Sequence, residues 1–148
     1  MRSALSIPLF VAVLGAFTSG CHNSTAPSVP PPVAGNYRAD QFITTGGSGS
    51  TDQLAAGSSL YLYLLDNGVV SGQLNIAASG GNPAFSASMT GTWTRSGDTI
   101  TFSQVADTFV RNMPFALVQE GDTWHLVGDQ AFSGTRIQIR LSQFNPTQ

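Results

Sequence analysis

The chain predicts an all-β domain, an eight-stranded antiparallel up-and-down barrel, with an open β-sandwich as the alternative arrangement. Three observations carry that expectation. Apolar and polar residues alternate with a period of two over most of residues 35–143. No helical period of useful length appears, apart from a single turn that "STDQLAAG" (50–57) could form. Finally, glycine-containing turn signals separate the alternating runs at short intervals.

The strands are expected near 36–44, 58–65, 69–77, 84–95, 98–105, 113–119, 123–129 and 134–143. Successive strand side chains point to opposite faces, so one residue class marks the core side. In "FSASMTGTWT", Phe85, Ala87, Met89, Gly91 and Trp93 share one face, and serines and threonines fill the other. Val70, Gly72, Leu74 and Ile76 repeat the pattern, as do Ile100 with Phe102. In the last strand Ile137, Ile139 and Leu141 face inward, while Arg136, Gln138 and Arg140 face outward. "LYLYLL" differs, with Leu60, Leu62 and Leu64 on one face and Tyr61, Tyr63 and Leu65 on the other.

Asp66-Asn67-Gly68 joins the second and third runs, and Asn-Gly is a strong hairpin signal because both residues tolerate positive φ. Ser96-Gly97-Asp98 and Glu120-Gly121-Asp122 mark two further hairpins, which share a Gly-Asp-Thr-apolar pattern as turn chemistry rather than as a repeat. Short connections favour sequential antiparallel neighbours, and closure into a barrel removes exposed edges. Closure places the first strand beside the last, so Asp40 is expected to pair with Arg136 or Arg140 on the outer surface.

The N-terminal region has a separate organisation. Met1-Arg2-Ser3 precedes an apolar run, Ala4 to Phe17, of signal-peptide length and too short for a stable bilayer span. Thr18-Ser19-Gly20-Cys21 then leads to the only cysteine. This segment resembles the lipobox of bacterial lipoproteins, which implies a signal peptide over 1–20 and a lipidated Cys21 as first mature residue. A diacylglyceryl group plus an N-acyl chain would supply the several chains that firm anchoring needs. His22 stands where inner-membrane lipoproteins often carry Asp, so the resemblance implies a cell-envelope location on the outer membrane rather than the inner. Residues 21–34 form a Pro/Ser/Thr-rich tether, whose "NSTAPSVPPPVA" would hold the domain of 35–148 roughly 30 Å off the lipid at ~3.1 Å per residue.

Without Arg2 the chain has five arginines and no lysine against eight acidic residues, a net charge of −3. That distribution offers no basic stripe, so nucleic acid is not an expected partner. The expected partners are the membrane, through Cys21, and a small apolar ligand or an envelope protein.

The domain resembles the lipocalin-like (calycin) group in layout. Gly35-Asn36-Tyr37 stands where lipocalins carry Gly-x-Trp, and Arg140 stands where a basic residue often covers that aromatic. It also resembles small envelope lipoproteins with a Gly-Thr-Trp…Gly-Asp-Thr core, here 91–93 and 97–99.

Catalytic templates lack their residues. One histidine, His125, lies in the domain, and no serine sits in a G-x-S-x-G setting. His125 with Asp122 and Asp129 is too thin a set for zinc, and alternation with Trp124 and Leu126 turns it outward. Gly46-Gly47-Ser48-Gly49-Ser50 lacks the lysine of a phosphate loop and reads as a hairpin loop. Asp40, Asp107, Glu120 and Asp129 could meet as a carboxylate pair, but their spacing does not favour it. No catalytic residue, cofactor or metal is therefore expected. Tyr37, Phe85, Met89, Trp93, Phe102, Phe115, Trp124 and Leu126, together with Leu117, are the residues expected to line a ligand cavity or fill the core. The two outcomes are a non-enzymatic ligand-binding barrel and a filled structural or interaction module.

Overall fold

The computed structural model describes residues 33–79 and 81–145; the expected signal peptide, Cys21 and the expected tether up to residue 32 lie outside the described residues. The alternating runs form strands β1 (Gly35–Gly46), β2 (Gly49–Asp52), β3 (Ser59–Leu64), β4 (Val69–Ile76) and β5 (Phe85–Ser88). They continue as β6 (Gly91–Ser96), β7 (Thr99–Gln104), β8 (Pro114–Glu120), β9 (Thr123–Phe132) and β10 (Thr135–Phe144). All pairings between strands are antiparallel, in the order β10-β9-β8-β7-β6-β4-β3-β1, and β1 pairs with β10 to close the ring. The result is an eight-stranded barrel with β2 and β5 as additions, and not the open sandwich. Sequence boundaries hold within a few residues, with two departures. The segment 45–57 contains β2, which folds back on β1. The single strand expected over 84–95 is interrupted at Met89-Thr90.

That interruption leaves the register intact. Ser88 opposes Gln73 and Gly91 opposes Val70, so β5 and β6 are two parts of one stave on β4. Only β6 finds a partner on the other side, because β7 ends at Gln104 and the chain turns away.

Hairpin chemistry explains the short connections. Gly97 and Gly121 both have φ of 60° and begin two-residue loops between paired ends, Ser96 with Thr99 and Glu120 with Thr123. Glycine first with positive φ fits the type II′ turn, which matches the twist of the flanking strands. At Asp66-Asn67-Gly68 only Gly68 has positive φ, at 80°, so Asn67 does not take the conformation its sequence suggested. Gly68 N donates to Leu65 O at 3.0 Å, and Asn67 Oδ1 accepts from Val69 N at 3.1 Å. This is the three-residue hairpin loop, in which only the last residue must be left-handed.

A β-bulge shapes the seam. Ala39 opposes Leu141 while Gln41 opposes Arg140, which leaves Asp40 as the extra residue. The bulge reverses the parity of β1: Tyr37 and Ala39 pack inward before it, Phe42 and Thr44 after it. Without it, one half of β1 would turn its apolar side chains to water.

The interior is packed around Tyr37, Leu62, Met89, Phe102, Phe115, Leu126 and Leu141, all 0% exposed. Phe102 and Phe115 meet edge-on with centroids 5.3 Å apart. Part of the filling comes from outside the strands. The connection 105–113 sends Phe109, Val110 and Met113 into the core. It is held there by Asn112 N donating to Phe102 O at 2.8 Å and Arg111 N to Thr108 O at 3.1 Å. Val33, expected at the end of the tether, is also core, 4% exposed, and its carbonyl accepts from Tyr37 Oη at 2.8 Å.

Candidate functional site

Connections in an up-and-down barrel alternate between its two ends. The tight turns at 65–68, 97–98 and 121–122 therefore share one end with the start of β1. Trp93 reinforces that end by donating from Nε1 to Leu65 O at 2.9 Å. The longer connections, 46–58, 77–84 and 105–113, gather at the other end with the 133–134 turn. A cavity of about 300 Å³ opens there.

Its walls follow from strand parity. Phe42 and Thr44 enter after the β1 bulge, Leu74 and Ile76 end β4, and Ile137 comes from β10. Phe85 begins β5, Phe109 sits on the long connection, and Phe132 ends β9. Four phenylalanines thus surround the opening, and Phe42 and Phe109 meet with centroids 5.3 Å apart. Gln53 and Thr44 also contribute, but they satisfy each other: Gln53 Nε2 donates to Thr44 Oγ1 at 2.8 Å, and Ser58 Oγ donates to Gln53 Oε1 at 3.2 Å. Asp107 is the charged residue in the wall, 3.8 Å from Arg111 Nη1, with a side chain that is 86% exposed. Thr108 also lines the cavity, buried, and its Oγ1 has no hydrogen-bond partner among the described residues. A mostly apolar hollow with a single unpaired hydroxyl has the character of a site for a largely apolar molecule.

A second constellation lies on the outer face, across the seam. Arg140 Nε donates to Asp40 Oδ1 at 3.0 Å and Nη1 to Glu120 Oε2 at 3.4 Å. Ser142 Oγ donates to the other Asp40 oxygen and lies 2.8 Å from His125 Nδ1. His125 Nε2 stands 3.7 Å from Glu120 Oε2. Burial works against the charged form of Asp40, but hydrogen bonds from Arg140 and Ser142 outweigh it and hold its carboxyl below the usual range. With Asp40 ionised, Ser142 gives its proton to that carboxylate and is not poised as a nucleophile, because activation would require it to donate to His125. The group ties β1, β8, β9 and β10 together.

His125 lies on the outer face as its alternation requires, yet it is only 7% exposed because Ser142 and Glu120 flank it. The sequence set it beside Asp122 and Asp129; the fold does not. Asp129 instead accepts from Arg136 Nε at 2.8 Å and from Gln138 Nε2 at 3.2 Å, and the Arg136 bond is the main reason its carboxyl is held below the usual range. Among the described residues no three His, Cys, Asp or Glu side chains come together as a metal site. Arg140 engages the two carboxylates, while Arg38 lies over an aromatic ring, 5.7 Å from the Phe144 centroid.

Of the eight residues expected to line the interior, Tyr37, Met89, Phe102, Phe115 and Leu126 are wholly buried in the packed part of the barrel. Trp93 and Trp124 are half-buried and pack against that core, as core-lining residues. Phe85 reaches the cavity and is 50% exposed at its mouth. Sequence reasoning did not pick out Phe42, Phe109 or Phe132 for the site. The visible signal was the apolar pair Phe109-Val110 inside a connection otherwise fit for a polar loop. No protein-family model matches the chain, and no curated protein is significantly similar to it.

Proposed function

We propose that this is a non-enzymatic binding protein that takes a small apolar molecule at the open end of its barrel, and that a lipid on Cys21 holds it at the cell envelope. The single observation that carries the binding role is the cavity of about 300 Å³ ringed by Phe42, Phe85, Phe109 and Phe132. At ~30 Å³ per water-sized group it admits about ten non-hydrogen atoms, a small ring system or a short chain. Burying such a molecule against phenylalanine and aliphatic walls gains the hydrophobic term, roughly 25 cal/mol per Å² of apolar surface. The anchor rests on the resemblance of Thr18-Ser19-Gly20-Cys21 to a lipobox.

Titration with 1-naphthylamine, a polarity-sensitive fluorophore of about that size, tests the binding role. Its emission should shift to the blue and saturate at one molecule per chain, and Phe132→Asp at the rim should weaken binding at least tenfold. No shift with the wild-type protein, or equal binding by the variant, would defeat the proposal.

A second reading, a docking face for an envelope protein, has its own observation. Tyr61 and Tyr63 stand on the outside of β3 at 39% and 41% exposure, near Leu65 at 51%.

A further inference from the structure

The cavity shares two walls, Phe85 and Asp107, with a groove on the outside of the barrel. The groove, of about 600 Å³, runs between β5 and the start of the 105–113 connection, along Ser86, Ala87, Ser88, Val105 and Ala106. It exists because the stave is lopsided. β5 pairs with β4 on one edge, and among the described residues no strand pairs with the other. The last link on that side is Val105 N donating to Thr90 O at 3.2 Å. Beyond it the barrel wall has a lateral slot, flanked by Phe85 at 50% and Val105 at 85% exposure.

Resting on the binding role proposed above, we infer that the ligand is a single linear alkyl chain that enters through this slot. Its terminal carbons fill the cavity against the packed Phe42–Phe109 pair, and the following carbons lie in the groove past Phe85 and Val105, with the head group in solvent. The reason is continuity and size. The cavity alone accommodates about ten non-hydrogen atoms at ~30 Å³ each, and the groove that adjoins it has twice the cavity's volume. A compact ring would use only the first compartment and leave Val105 exposed. A chain covers both with one molecule. It needs no ionic partner, in keeping with walls whose only charge is Asp107.

The two compartments make different predictions for a homologous series. Displacement of 1-naphthylamine by n-alkyl maltosides from six to fourteen carbons, each kept below micelle formation, should tighten about fourfold per added CH₂ throughout. Val105→Asp should leave the eight-carbon compound unchanged and flatten the gain beyond about ten carbons. A wild-type series that levels off near ten carbons would overturn the slot while leaving the binding role intact. Continued tightening in Val105→Asp equal to wild type would overturn it as well. Failure of every chain length to displace the probe would remove the alkyl-chain ligand, and absence of probe binding itself would remove the binding role.

Discussion

Arg140 Nε donates to Asp40 Oδ1 at 3.0 Å although the two residues are 100 positions apart in the chain. They meet because β1 and β10 close the barrel and because Asp40, next to the inward Ala39, faces outward across that seam. The pair was expected from closure alone, and it marks the seam.

Asp40 should contribute to acid sensitivity. Its carboxyl is held below the ordinary value, so the folded state favours its ionised form. The stability it adds is present above the unfolded carboxylate pKa of about 4 and is lost as pH falls through the lower folded value. Thermal unfolding followed between pH 7 and pH 2 should show a shallower acid decline for Asp40→Asn than for wild type. Identical slopes would mean that the seam pair is silent.

Tyr37 gives the opposite limb. Burial pushes its phenol up to about 12, so folding favours the neutral form. That preference supports the fold below the unfolded pKa of about 10 and is lost as pH rises from there through about 12. Tyr37→Phe should cost about 1 kcal/mol at neutral pH, since Val33 O loses its donor. It should also decline less between pH 10 and 12. Urea unfolding at the two pH values checks both parts.

Gly72 tolerates no side chain. Its φ is 145°, and a Cβ there would run into the Tyr61 carbonyl oxygen on the neighbouring β3. Gly72→Ala should destabilise by about 2 kcal/mol or more, through strain and overpacking. A chemical-denaturation midpoint equal to wild type would contradict the close approach of the two strands.

Cys21→Ala tests the proposed anchor. In membrane fractionation the variant should move to the soluble fraction while the wild type stays with membranes. Equal membrane association of both would refute lipid attachment.

The connection 105–113 should matter for stability as much as a strand does. Met113→Ala empties a wholly buried position and should cost ~2–5 kcal/mol, measured by equilibrium unfolding. A surface-loop value of a few tenths would show that the connection does not fill the core.

By itself the sequence determined the strand content, most of the inward faces, the three glycine-marked hairpins and the meeting of Asp40 with the last strand. These follow from a two-residue period and from turn residues, which act over a few neighbouring positions. The proposal that Cys21 is a lipid anchor rests on the sequence alone. Tertiary structure decided the rest. The bulge that reverses β1 parity has no local signature, because Ala39-Asp40-Gln41 alternates as well as its neighbours do. β7 ends at Gln104, so β5 has no second strand beside it among the described residues, and that leaves the wall open next to Phe85. Phe109, Val110 and Met113 fill the barrel only because the connection folds inward over it. The cavity is what that plug leaves between residues as far apart as Phe42 and Ile137. Such spaces depend on how distant segments share one volume, and local periodicity carries no information about that.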